Sequence, residues 1–152
     1  MRNEQIEGIL GMYGVEYNYT DAVPWSQVDI AESRKNLARP GDALNESVVR
    51  RYAAAKRAGA TFPAVVLYPL PNGKFLLLDG NHNQASDEAN GVEEHDAYIV
   101  SNTLPKEVFA ALGKQFNRGH GFGVTVEAFT EQALDWLRDH PLETVRLAAH
   151  YF

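Results

Sequence analysis

Two short apolar runs on either side of an Asn-Gly pair constrain the fold of this chain most strongly. Residues 64–68 and 74–78 are rich in apolar residues, and Asn72-Gly73 lies between them. This pattern is the strongest local indication of a β-hairpin, and we expect a type I′ turn at Asn72-Gly73. The second run leads directly into Asp79-Gly80-Asn81-His82. The sequence therefore predicts a strand that ends at a polar turn.

Helical and extended patterns surround this hairpin. Apolar residues recur at helical spacing before Gly14. They also recur in a segment that Asp42 or Asn45 could cap and that Gly59 would end. Gly91 would end a further short helix. The predicted helices cover residues 3–12, the segment ending at 59, 84–90 and 105–116, and the extended segments cover 15–19, 23–25 and 97–100. Alternation of these elements predicts an α/β (α+β) fold.

The C-terminal residues have a different pattern. An apolar stripe predicts a helix from residue 126 to Pro141, and residues 142–152 begin another helix. Apolar positions such as Val145 and Phe152 have no evident partner within this segment. We therefore expect a helical unit that continues beyond Phe152.

Composition excludes several classes of function. The chain has no cysteine, so disulfides, thiolate metal sites and a cysteine nucleophile are excluded. It carries 14 basic and 20 acidic residues, a net charge of -6, so the overall charge does not favour a polyanionic partner. No apolar run approaches the roughly 18 residues of a membrane span, and the first residues lack a signal-peptide pattern. We expect a cytoplasmic protein with no membrane partner.

Several segments together resemble the ParB/sulfiredoxin superfamily in order and spacing over about residues 23–150. The matching segments are Val23-Pro24, Val28-Asp29-Ile30, 36–39, the helix 48–59 with Phe62-Pro63, 78–82 and 117–121. This resemblance implies a small mixed sheet with flanking helices over residues 1–122. It also implies that residues 123–152 correspond to the start of a helix-turn-helix region.

The same resemblance implies a nucleotide site. By position, phosphate or nucleotide contacts are expected at Arg39, Gly80, Asn81, His82, Asn83, Asn117 and His120. Asn117 would lie close to a nucleoside triphosphate, CTP or ATP, or to its Mg²⁺ cofactor. Two departures remove charge: Asn83 stands where relatives usually have arginine, and Phe116 stands where ParB proper has glutamate. Nucleotide turnover is therefore less expected than the fold, and we expect nucleotide binding to be weak.

The function implied is a nucleotide-binding module associated with DNA binding, partition or regulation. DNA would contact the C-terminal helices or a basic patch, and a homodimer is compatible with this function. An alternative is a phosphotransfer enzyme such as a small-molecule hydroxyl kinase, a weak nucleoside triphosphatase or a nuclease, with Glu32 or Asp79 as the catalytic base. A third is a catalytically inactive interaction domain.

Each candidate residue also has a structural interpretation. Asp79 can cap backbone amides in a tight turn, and Asn117 and His120 can satisfy a glycine-rich connection. A lone glutamate such as Glu32 is more often a solvated surface charge. The basic residues Arg50, Arg51, Lys56 and Arg57 most simply form the solvent-facing side of one helix.

Overall fold

The structure of the protein, a computed structural model, describes residues 1–35 and 44–119, with the backbone alone for residues 117–119. The predicted helices at 126–141 and 142–152, the candidates Arg39 and His120, and the proposed division at residue 122 lie outside the described residues.

The described residues form a four-stranded mixed sheet and five α-helices. The strands are β1 (Tyr17–Pro24), β2 (Val65–Pro69), β3 (Phe75–Asp79) and β4 (Glu94–Val100), and the helices are α1 (Glu4–Met12), α2 (Ile30–Lys35), α3 (Glu46–Arg57), α4 (Asn81–Ala89) and α5 (Lys106–Gly119). A 3₁₀ turn at Trp25–Gln27 follows β1. The predicted α/β fold and mixed sheet are confirmed in these residues. None of their helices has the length and hydropathy of a membrane span.

The sheet order makes β3 an edge strand, and α4 follows β3 in the chain. The order is β1-β4-β2-β3, with β4 parallel to β2 and antiparallel pairs at both ends. Parallel neighbours need a long crossover connection, and here β3 and α4 provide it between β2 and β4. The chain therefore leaves the edge strand β3 and enters α4 directly.

The central strand β2 is buried on both faces, which explains its continuous apolar sequence. Val66 faces a core that α1 and α5 cover, whereas Val65 and Leu67 face a second core that contains Trp25 and Leu77. These three residues of β2 are at most 1% exposed. The two cores hold the strands that deliver the polar residues after Leu78.

The predicted hairpin is confirmed, but its predicted type I′ turn is wrong. A type I′ turn requires positive φ at both central residues, and at this turn only Gly73 has a positive φ, +81°. The Gly73 N–H donates to the Leu70 carbonyl over 3.1 Å, and the Leu70 N–H donates to the Lys74 carbonyl over 2.8 Å. Pro71, whose ring fixes φ near -65°, favours this longer loop with a final left-handed glycine.

Helix boundaries differ from the predicted ones in two places that affect the site. α4 begins at Asn81 rather than at Gln84, so the predicted polar turn is the first turn of a helix. α5 continues to Gly119, so Asn117 belongs to a helix and not to a loop. Buried Leu112 and Phe116, one helical turn apart, favour this continuation. Asn45 caps α3 as predicted, since its Oδ1 accepts from the Val48 N–H.

The outer edge of β3 is covered by α2, an element that the sequence analysis did not predict. Ser33 is fully buried, and its Oγ donates to the Asp29 carbonyl and accepts from the Leu77 N–H at 2.9 Å. The Asp29 N–H donates to the Phe75 carbonyl at 2.8 Å. These bonds satisfy edge groups that would otherwise be open to pairing with another strand. They also fix the position of Arg34, the next residue in α2.

We expect Ser33→Ala to lower the free energy of unfolding by about 1–3 kcal/mol, because the buried Leu77 N–H loses its acceptor. Chemical denaturation followed by circular dichroism measures the change. Ser26→Ala, at an exposed position in the 3₁₀ turn, is the control and should change stability by less than about 0.5 kcal/mol. Equal effects of the two substitutions would contradict the role of Ser33.

Candidate functional site

The junction between β3 and α4 requires glycine at position 80. Gly80 has φ +119°, a conformation that residues with a side chain rarely adopt. A Cβ at this position would also lie 2.4 Å from Val65 Cγ1. The first turn of α4 can therefore start against the central strand, without an intervening loop.

A cavity of about 190 Å³ lies in front of this junction. It is lined by Tyr52, Phe62, Pro63, Ala64, Asp79, Gly80, Asn81, His82, Asn83 and Phe116. The structure thus brings together at one cavity all five of the candidates from Asp79 to Asn83. Gly80 occupies the N-cap position of α4 and supplies no side-chain acceptor. First-turn N–H groups of a helix have no acceptors within the helix, and its dipole is positive at this end.

The side of α4 that faces the protein is polar. Its buried polar residues are Asn81, Asn83, Gln84, Ser86 and Asp87. Buried polar groups need hydrogen-bond partners, because a group without one retains its full cost of leaving water. Two cations, Arg34 from α2 and Lys56 from α3, provide most of these partners.

Arg34 reaches from α2 across the first turn of α4. Its Nη1 donates to Asn81 Oδ1, and its Nη2 donates to Gln84 Oε1 at 2.5 Å. Burial lowers the pKa of Arg34, while the Glu88 carboxylate acts in the opposite direction. A guanidinium keeps its charge in proteins. The site therefore has a partly buried positive charge bound to neutral side chains.

Lys56 forms a second cationic contact behind the cavity. Its Nζ donates to Asp87 Oδ1 at 2.7 Å, to the Asn83 carbonyl at 3.0 Å and to Asn83 Oδ1, and it lies 5.0 Å from the centroid of the Phe62 ring. The Trp25 Nε1–H donates to the other oxygen of Asp87 at 3.1 Å. Burial lowers the pKa of Lys56, and Asp87 opposes this shift.

The interpretation that Lys56 belongs to the solvent-facing side of α3 is therefore wrong. Its side chain is 12% exposed, because the side of α3 that carries it packs against the polar side of α4. The expectation is confirmed for Arg50, Arg51 and Arg57, which are exposed. The side chain of Asn83 is bound to Lys56 and donates to the Pro63 carbonyl at 3.1 Å. Position 83 therefore carries an amide whose oxygen is bound by the cation Lys56.

His82 connects the starts of α4 and α3. Its Nε2 accepts the Asn45 N–H at 3.0 Å, and its ring centroid lies 6.4 Å from that of Tyr52. Burial lowers the pKa of His82, the positive charge of Arg34 lowers it further, and the Asp79 carboxylate opposes both. The ring is therefore neutral at pH 7, with its proton on Nδ1 because Nε2 accepts a hydrogen bond.

Asp79 places a carboxyl group at the same cavity. Asp79 is 8% exposed. The pKa of Tyr52 is raised mainly by the burial of Tyr52 and secondly by the negative charge of Asp79. A carboxylate there can accept a proton from a substrate hydroxyl, and it also repels an anionic ligand. The cavity thus combines a helix N-terminus, which favours an anion, with one carboxylate that repels it. Arg34 and Lys56 contact the first turn of α4 but do not belong to the cavity lining.

The remaining candidates among the described residues are Glu32 and Asn117. Glu32 lies on α2 with a 45% exposed side chain, 3.6 Å from Lys35 Nζ, and does not line the cavity. Asn117 is described by its helical backbone alone. Within residues 1–35 and 44–116, no group of three or more histidine or acidic side chains is arranged to hold a metal ion. Magnesium binding stays a prediction.

Sequence analysis did not identify Tyr52 and Phe62 as residues of the cavity, and it did not identify the partners of Arg34 and Lys56. Those partners are 27 to 50 residues away in the chain. A local pattern does not show such pairings. A usable signal was the high polar content of α4, which requires partners wherever that helix is buried.

Neither protein-family models nor curated proteins gave a match to this sequence.

We expect Gly80→Ala to destabilise the protein more than Gly91→Ala. Both glycines have positive φ, +119° and +69°, but only at Gly80 would a Cβ meet another residue. The steric conflict with Val65 should make Gly80→Ala more costly than its control by about 1–3 kcal/mol in the free energy of unfolding. Thermal and urea denaturation of both variants measure the difference. Equal costs would show that close packing at the junction is unimportant.

Proposed function

We propose that the cavity at the start of α4 binds a nucleotide through its phosphates, in a ParB-like module associated with DNA. The observation that carries this proposal is the cavity wall itself, a helix N-terminus whose cap is Gly80 and whose first turn contacts the Arg34 guanidinium. Phosphate groups bind readily at such helix ends, because backbone N–H groups and the helix dipole both favour an anion.

Arg34 supports this proposal by its present partners. Both oxygens that it contacts, on Asn81 and Gln84, belong to neutral amides. A phosphate is a stronger acceptor, since charge-assisted hydrogen bonds are about twice as strong as neutral ones. A phosphate at the first turn of α4 can therefore compete with these two amides for the guanidinium.

The cavity lining also contains aromatic rings, which suit an apolar part of the ligand. Tyr52 and Phe62 pack with ring centroids 4.8 Å apart, and Phe116 lines the same cavity. Aromatic rings can stack against a planar base, and they offer little discrimination among bases. This arrangement favours a ligand with a phosphate at one end and a ring at the other, such as CTP or ATP with Mg²⁺.

The DNA association in this proposal rests on the ParB resemblance and on the exposed arginines of α3. Arg50 and Arg51 are exposed and lie outside the network that holds α4. Arginines in such positions can contact backbone phosphates without reading sequence. Affinity from these contacts should fall steeply as salt rises.

A second candidate function is phosphate transfer to a substrate hydroxyl, and the position of Asp79 favours it. Its carboxyl group lines the cavity beside the first turn of α4, where it can take the proton of an attacking hydroxyl. Nucleotide binding is common to both functions. The role of Asp79 distinguishes them.

We expect Arg34→Gln to weaken binding of CTP–Mg²⁺ or ATP–Mg²⁺ by about tenfold or more, because it removes a charge-assisted contact worth about 1.5–3 kcal/mol. Lys35→Gln is the matched control: the residue is adjacent, and its side chain is 75% exposed. Calorimetric titration at two salt concentrations measures the affinities, with melting temperatures recorded for each variant. Equal affinities for the two folded variants would contradict a phosphate contact by Arg34.

For Asp79→Asn we expect loss of phosphate transfer to free serine or another hydroxyl compound, together with unchanged or tighter nucleotide binding. The amide cannot accept the hydroxyl proton, and the substitution removes repulsion between a carboxylate and the phosphates. Transfer is measured with γ-labelled ATP, and binding is measured by calorimetry. If the original protein transfers no phosphate, the module binds nucleotide without this activity. If the variant transfers phosphate at the original rate, Asp79 is not the base.

A further inference from the structure

The hydrogen bond between His82 and Asn45 joins the starts of two helices at the cavity. Asn45 is the N-cap of α3: its side chain accepts from the Val48 N–H, and its own N–H donates to His82 Nε2 at 3.0 Å. His82 lies in the first turn of α4. Since His82 also lines the cavity, this bond fixes how α3 and α4 meet where we place the ligand.

This bond requires a neutral imidazole. When both ring nitrogens carry protons, both are donors, and Nε2 can no longer accept the Asn45 N–H. The same protonated ring is a good partner for a phosphate, to which it can donate. The two partners of His82 therefore require opposite protonation states.

We propose that His82 is a proton-coupled latch, in which the neutral ring fastens Asn45 at the start of α3 and a phosphorylated ligand in the cavity draws a proton onto the ring and releases that bond. The inference rests on the proposed function and adds its regulation: ligand binding takes up a proton and loosens the contact between α3 and α4.

The described charges around His82 act in the required directions. Arg34, from α2, disfavours the protonated ring, whereas Asp79, at the end of β3, favours it. Tyr52, from α3, packs against the ring and carries no charge near neutral pH. A phosphate that pairs with Arg34 removes the main repulsion and adds a negative charge near His82. Both effects raise the pKa of His82 above its value in the free protein.

The sign of the pH dependence follows from this change. In the free protein the pKa of His82 is lowered from 6.5, so the folded state holds the proton less tightly than the unfolded chain. The hydrogen bond from Asn45 to neutral His82 therefore stabilises the folded protein fully above pH 6.5, and this stabilisation is lost as the pH falls toward the lowered pKa of His82. Ligand affinity changes in the other direction. The affinity rises once the pH falls below the pKa of His82 in the ligand-bound protein. The increase is up to about tenfold for each unit by which this pKa exceeds that of His82 in the free protein.

The first test is a titration of the free protein by NMR, from about pH 8 to about pH 5. The His82 ring signals should titrate with a midpoint below 6.5, and the backbone amide signal of Asn45 should move with the same midpoint. A His82 midpoint at or above that value, or an Asn45 amide that does not follow the ring, would overturn the latch.

The second test is calorimetric titration with CTP–Mg²⁺ and ATP–Mg²⁺ near pH 6.5, in two buffers of different ionisation enthalpy, which gives the number of protons taken up. His82→Gln is the matched variant, because its amide oxygen can still accept the Asn45 N–H but does not titrate. We expect the original protein to take up more protons on binding than His82→Gln does. Because both proteins bind the same nucleotide, this comparison also corrects for protons that the ligand itself gains or loses.

Each outcome of this titration decides a different claim. Greater uptake by the original protein supports the latch. Binding with equal uptake in the two proteins overturns the latch and leaves the nucleotide site intact. Absence of binding of both nucleotides to the original protein overturns the proposed function and the latch together.

Discussion

The burial of a polar helix face is the constraint on which the site depends. α4 turns five polar side chains toward the interior, and each requires a partner to offset its removal from water. Arg34 and Lys56 meet most of this requirement, and each does so from a different helix. The positions of α2, α3 and α4 relative to one another are therefore set by the same few hydrogen bonds that surround the cavity.

Stability and positioning have different sources in this structure. The two apolar cores on either side of β2 remove large side chains from water and supply the main favourable free energy of folding. The buried Lys56–Asp87 pair contributes less, because desolvation of both charges offsets much of their attraction. Its directional bonds to Asn83 instead favour one arrangement of α3 against α4. We interpret it as a positioning contact for the first turn of α4.

Local sequence signals predicted local structure. The apolar runs around residue 72 predicted the hairpin, and Asn45 was one of the two candidate caps of α3. The turn type was missed because Pro71 and Gly73 act together in a longer loop. A polar turn at Asp79-Gly80-Asn81-His82 was predicted because an apolar strand leads into it, and the structure places these residues at the cavity.

What the sequence did not show depends on contacts between distant residues. Arg34 and Asn81 are 47 positions apart, and Lys56 and Asp87 are 31 apart. In sequence, Lys56 is one of several basic residues on a helix, and only the position of α4 distinguishes it from Arg50. The proposed DNA contact and the roles of Arg39 and His120 stay predictions.

Chemical-shift mapping of amide and arginine side-chain signals during titration with CTP–Mg²⁺ and ATP–Mg²⁺ tests the central claim most directly. The account predicts that the largest changes occur at the backbone amides of residues 80–83 and the guanidinium of Arg34. Changes confined to the exposed arginines of α3, or the absence of saturable changes, would contradict it.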